Sequence, residues 1–279
     1  MTTQMAAFDI DRFLSLSGAV VHQDLDLKEA ARQGLSDGEA RVLRYMADTE
    51  THTILYLRDL LAGHIAHDPE VTAFLSVWAY EELWHGRAID TLLTACGHRP
   101  PDQAYLATCQ AASWRETLEA LLSHLAATTT TRFAAVHMAW GAVNELTAAA
   151  AYQALARRTA NRPLATLLGR IAKQERKHFA FYYSQAERRL TDDRRAQTLC
   201  RLAMSALWTP VGSGVGHTAN LAYIIAAYFD DVAGRQALAA CDATMRRLPG
   251  MGWFNLVVRH TERLRERGRV AIKEQPAAA

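Results

Sequence analysis

Four long stretches of this chain repeat apolar residues at the i, i+3, i+4, i+7 spacing of an amphipathic helix, and each stripe is broken near its middle by a glutamate. The first runs Leu43, Met46, Ala47, Glu50, Thr53, Ile54, Leu57. The second runs Val71, Phe74, Leu75, Trp78, then Glu82 and His85, then Ile89, Leu92, Leu93. The third has Met138, Gly141, Ala142, Glu145, Ala148, Ala149, Tyr152. In the fourth, Leu164, Leu167, Leu168, Ile171 and Ala172 lead to Glu175 and His178, followed by Phe179 and Tyr182. An acid on a face that must be buried is a severe constraint, because an unpaired ion in a low-dielectric interior destabilises a fold by several kcal/mol.

Composition supports helices throughout. Of 279 residues, 50% are hydrophobic and only 7 are Pro and 15 Gly, with few β-branched side chains. Asp37 opens the first helix and His67-Asp68-Pro69 ends it. The second reaches Gly97, and residues 102–131 form a long connection. The third spans about Arg132 to Ala160, Asn161-Arg162-Pro163 turns the chain, and the fourth ends near Leu190. Shorter helices follow, interrupted at Thr209-Pro210-Val211-Gly212-Ser213-Gly214. The expected fold is all-α: a four-helix bundle with one long crossover and additional C-terminal helices. Residues 1–35 read as an N-terminal extension, 36–270 as the bundle domain and 271–279 as a frayed tail.

Four inward carboxylates with two histidines are explained at once if two divalent cations sit among them. Glu82-x-x-His85 and Glu175-x-x-His178 are i, i+3 pairs, which place both side chains of each pair on one helix face within reach of one ion. Glu50 and Glu145 supply single carboxylates from the other two helices. Oxygen and imidazole donors suit iron or manganese better than a thiolate-seeking metal. Glu81 is a rival to Glu82, being i+4 from His85; Glu82 is assigned because it matches the register of Glu175. His137, two turns before Glu145, is a candidate to support the site from outside the ligand set.

Charge and cysteines narrow the setting. Residues 1–100 carry 8 Lys/Arg against 15 Asp/Glu, whereas 157–201 carry 12 against 4. That basic stretch is either a solvated face or a docking surface for an acidic partner, with Arg157, Arg158, Arg188, Arg189, Arg194 and Arg195 its candidates. No nucleic-acid-binding motif occurs. Cys96, Cys109, Cys200 and Cys241 lack C-x-x-C spacing, no leader or spanning run is evident, and a cytoplasmic protein with reduced thiols and no membrane association is expected.

Trp78-Ala79-Tyr80-Glu81-Glu82-Leu83-Trp84-His85-Gly86 resembles the W-x-x-E-E-x-x-H-G signature of the soluble acyl-carrier-protein desaturases, diiron enzymes of the ferritin-like superfamily. Lys173-Gln174-Glu175-Arg176-Lys177-His178 is similar to that family's D-E-K-R-H segment, with Gln174 in place of the acid. The resemblance spans roughly residues 35–230. It implies a ferritin-like bundle holding two iron ions on Glu50, Glu82, His85, Glu145, Glu175 and His178, with Glu82 and Glu175 bridging. It further implies O2 as co-substrate, a ferredoxin-type electron donor, an acyl chain on acyl-carrier protein as substrate, and a homodimer. The alternatives are a diiron oxygenase that hydroxylates, cleaves or N-oxygenates a small metabolite, and an iron-handling ferroxidase. Gly141, Ala142, Ala148 and Ala149 would leave room beside the metals; Phe74, Trp78, Tyr152, Phe179 and Tyr182 would either wall a substrate channel or simply pack the core.

Overall fold

The computed structural model describes residues 8–61, 64–98, 131–211 and 218–273. Among these every regular element is helical: α1 (Ile10–Leu16), α2 (Leu27–Gln33), α3 (Asp37–Leu61), a 3₁₀ turn (His64–His67), α4 (Pro69–Ala95), α5 (Phe133–Arg158), α6 (Arg162–Leu190), α7 (Arg194–Leu207), α8 (Thr218–Tyr228), α9 (Val232–Met245) and α10 (Leu256–Lys273). The expected connection over 102–131, the Gly212–Gly214 break, Cys109 and the last residues of the tail fall almost wholly outside the described residues.

Local chemistry sets the ends of the four long helices. Asp68 caps α4 by accepting from the backbone N–H groups of Glu70 (3.1 Å) and Val71 (3.3 Å), with Pro69 in the first turn where its missing N–H does no harm. Such a cap contributes ~1 kcal/mol. Asn161 plays the same part for α6, accepting from the Leu164 N–H at 3.1 Å, and Pro163 follows it. Gly97, at φ +87°, takes the left-handed conformation that closes α4.

The long helices pack as two pairs, α3 with α4 and α5 with α6, and α4 with α6 joins the pairs. The stripes face one core in which Leu43, Phe74, Leu75, Ile89, Met138, Leu164, Leu168 and Ile171 are fully buried. One stripe residue departs from expectation: Ile54 is 46% exposed. The seam of α3 repeats every seven residues, through Leu43, Glu50 and Leu57 and through Met46, Thr53 and Leu60, and Ile54 falls one position outside it. Gly86 has a packing role, since a Cβ there would meet the Thr51 hydroxyl at 2.9 Å and the Ala47 carbonyl oxygen at 3.2 Å. Its bare backbone lets α4 pass close to α3 beside Glu50.

The segment before Asp37 is packed onto this bundle. α1 and α2 rest on α4, α2 also on α6, and Phe13, Val20 and Ala30 are buried in the same core. At the other end α7, α9 and α8 pack against α5, and α8 and α9 against α10. No helix among the described residues is long and apolar enough to cross a membrane. Cys96, Cys200 and Cys241 are free thiols.

Candidate metal centre

The bundle brings all six sequence-predicted residues together. Glu50, Glu82, His85 and Glu175 can each place one ligand atom within 4.8 Å of the others, and so can Glu82, Glu145, Glu175 and His178. Glu82 and Glu175 belong to both groups. The cluster is therefore two adjoining sites sharing two carboxylates, each with its own imidazole and its own outer acid. All six side chains are buried.

The inner atoms face one another without bonding. His85 Nδ1 lies 3.2 Å from Glu175, 3.4 Å from Glu82 and 3.9 Å from Glu50. His178 Nδ1 lies 3.0 Å from Glu82 and 3.6 Å from both Glu145 and Glu175. Yet both Nδ1 atoms, Glu82 Oε1 and Glu175 Oε1 are buried with no hydrogen bond among the described residues. Buried polar atoms are nearly always partnered, so this donor set fits a pair of divalent cations: oxygens and imidazoles converging, their free atoms pointing inward.

The outer atoms are engaged, in a near-symmetric way. Tyr152 donates its hydroxyl to Glu50 Oε1, and Trp78 Nε1 donates to Glu145 Oε1 at 3.1 Å. Each outer acid thus has one oxygen tied and its second free to turn inward. The far ring nitrogens are likewise occupied. His178 Nε2 is 2.7 Å from Glu81 Oε2, and His85 Nε2 is 3.0 Å from Gln174 Oε1. Partners of this kind orient the imidazole and set its basicity.

Glu81 is thereby resolved as the support of His178 on the opposite helix, leaving Glu82 inside the cluster. Gln174 is explained by the same contacts: its amide donates to Glu81 Oε1 (2.7 Å) and to the Gly18 carbonyl (2.9 Å). A carboxylate at that position would face Glu81 charge to charge. The Gly18 N–H donates to Glu81 Oε1 at 2.9 Å, closing the network with the N-terminal segment. Sequence reasoning missed Gly18 and the tasks of Tyr152 and Trp78; only the doubled acid Glu81-Glu82 carried a readable signal.

Electrostatics show how the cluster balances itself without cations. Burial, then the charge of Glu82, pushes the Glu50 carboxyl well above its ordinary range; burial and the charge of Glu175 do the same to Glu145. Burial opposes charge on Glu82 and Glu175 too, but the outer acids and the two imidazoles beside them outweigh it and hold both below the ordinary range. Burial also disfavours charged imidazoles, and the surrounding acids outweigh it, so His85 and His178 are raised well above 6.5. His137 takes no part: it rests edge-on against Phe133, and burial brings its imidazole down to about 4.

A cavity of about 260 Å³ opens on the cluster at Glu50, Glu82, Glu145 and Glu175 and extends between α3 and α5 toward the C-terminal helices. Its walls include Met46, Ala148, Ala151, Trp208, Ile224 and Phe229. Of the five aromatic residues considered above, Trp78, Tyr152 and Tyr182 line it. Phe74 instead stacks on Phe181 at 3.8 Å, and Phe179 packs against Tyr183. The space at Gly141 is not empty but filled by the Tyr182 ring, whose Cδ1 would lie 2.4 Å from a Cβ there. His52 also lines the cavity.

The basic stretch is partly consumed in holding the fold. Arg188 bonds Glu70 (3.1 Å) and Asp68 (3.2 Å), Arg189 bonds Asp68 (2.6 Å), and Arg158 bonds Asp231 and the Ala227 carbonyl. Arg157, Arg194 and Arg195 remain exposed. Compared with known proteins, the chain matches no family model, no curated protein and no solved structure. What is established is an all-helical bundle with a buried glutamate–histidine cluster that could hold metal ions.

Proposed function

We propose that this chain is an O2-dependent nonheme diiron oxidase acting on a largely apolar substrate, as its resemblance to the soluble acyl-carrier-protein desaturases implies. One observation carries the reading: two ligand groups share Glu82 and Glu175, and a mainly apolar cavity opens on those same residues. Two iron ions held by the six side chains would supply activation of dioxygen and removal of hydrogen from a C–H bond, and manganese suits the same donors.

The chain's own contribution is positional. Tyr152 and Trp78 anchor one oxygen of Glu50 and Glu145, so each acid can swing its second oxygen without leaving the site. Glu81 and Gln174 fix the imidazole planes. The apolar cavity walls keep water from competing for the reactive centre. For an acyl chain, one dioxygen, two electrons from a ferredoxin-type donor and two protons enter; one alkene and two waters leave. Arg157, Arg194 and Arg195 are the exposed charges suited to an acidic carrier protein.

The second reading, oxygenation of a compact metabolite, is favoured by the cavity's size, which lies below the ~300 Å³ lower end of ordinary ligand pockets. The test is iron reconstitution followed by O2 consumption and product analysis on a series of acyl thioesters and free small molecules. Carrier-dependent, salt-sensitive alkene formation supports the first reading, and a hydroxylated or cleaved free product the second. Failure to bind two transition-metal ions per chain would refute both.

A further inference from the structure

Most polar groups on the cavity wall are satisfied by the chain itself. Thr49 and Thr261 donate their hydroxyls to carbonyls one turn back, Tyr45 donates to the Val211 carbonyl at 2.8 Å, and Trp208 Nε1 donates to Asn144 Oδ1 at 3.2 Å. Tyr182 differs. Its side chain is 0% exposed, its ring is seated over Gly141 and edge-on to Trp78 at 5.8 Å, and its hydroxyl has no partner among the described residues. Tyr182 lines the cavity together with Glu82 and Glu145, and the Trp78 ring it rests against donates to Glu145, so it stands at the end that opens on the glutamate–histidine cluster. Burial, with those neighbours, keeps the phenol protonated and therefore a donor. A buried donor is costly to leave unmatched, whereas phenylalanine would fill the same space without that requirement.

We propose that Tyr182 donates a hydrogen bond to an oxygen of the substrate, a carbonyl or hydroxyl, so that the carbon oxidised lies close to that group rather than deep in a plain hydrocarbon chain. An uncharged oxygen suits the wall, since among the described residues lining the cavity none is lysine or arginine. This rests on reading the cavity as the substrate site, and it holds for a thioester attacked near its carbonyl as well as for a free oxygenated metabolite.

The test is ligand binding to the purified, metal-loaded protein without O2, so that turnover plays no part. A seven-carbon methyl ketone is compared with the alkene that carries a methylene in place of its oxygen. Binding is followed by tryptophan emission, since Trp78 and Trp208 line the cavity. Tyr182→Phe should lower the ketone-to-alkene affinity ratio roughly five- to tenfold, the worth of one neutral hydrogen bond, with alkene binding retained. An unchanged ratio overturns the assignment and leaves the oxidase reading standing. Ala148→Phe or Ala151→Phe, which fill the cavity, should abolish binding of both probes. Binding that survives both overturns the inference together with the assignment of the cavity as substrate site.

Discussion

Loading this cluster with metal should release protons, and the number follows from its charges. In the metal-free protein burial and neighbouring charge push Glu50 and Glu145 well above 4.5 and so favour their protonated forms, while Glu82 and Glu175 are held below 4.5 and favour the ionised form. His85 and His178 are raised well above 6.5, so at pH 6.5 both carry positive charge. Two cationic imidazoles against two carboxylates leave these six side chains with no net charge. Two divalent cations bring four positive charges, and an uncompensated charge in a dry core costs several kcal/mol. The charge balance returns only if the protons on both imidazoles and both outer acids depart, so up to about four protons should be released per pair of ions. Burial opposes charge on Glu81, but its hydrogen bond with the His178 imidazole outweighs that and holds it below its ordinary range, so it is already ionised and adds none. The assay is anaerobic ferrous titration at pH 6.5 in weak buffer with a pH indicator, alongside metal analysis of the washed protein. With about two protons leaving per ion, apparent affinity should fall roughly a hundredfold per ion for each pH unit downward. Stoichiometric metal uptake with no proton release would refute the charge assignment.

Further outcomes follow from the same contacts. Stability of the metal-free protein should fall as pH rises. Glu50 and Glu145 resist ionisation in the fold, so the unfolded chain is favoured progressively above 4.5. The stabilisation from His85 and His178, complete below 6.5, is lost as pH climbs through their raised folded-state values. The gap in Tm between metal-loaded and chelator-treated protein should therefore widen from pH 6.5 upward, and a constant gap would contradict this. Glu81→Gln removes the anion behind His178 and should weaken metal binding about 10–100-fold, read by competition with a chromophoric chelator. Gly141→Ala drives a methyl into the Tyr182 ring and should cost about 1–3 kcal/mol in urea unfolding. Replacing Arg157, Arg194 and Arg195 by glutamine should raise KM for a carrier-bound substrate while metal content stays unchanged; an unmoved KM would exclude that face from docking.

What the sequence determines here is periodicity and donor chemistry. Helical spacing fixes which residues share a face, so Glu82 with His85, Glu175 with His178, and the outer acids Glu50 and Glu145 were all legible, along with the helix starts at Asp68-Pro69 and Asn161-Arg162-Pro163, whereas the first long helix ends at Leu61, short of the expected His67-Asp68-Pro69. Spacing along one helix says nothing about what stands opposite on the next. Hence Glu81 read only as a rival to Glu82, Gln174 as an unexplained departure, Ile54 as core, and Gly141 as open space. Tertiary packing decided those points: Glu81 reaches across to His178, Gln174 bridges His85, Glu81 and Gly18, the seven-residue seam turns Ile54 outward, and the Tyr182 ring occupies the gap at Gly141. The physical reason is that the ligand set repeats with the helix, whereas the groups that orient it, and the hydroxyl left free beside it, depend on contacts between residues far apart in the chain.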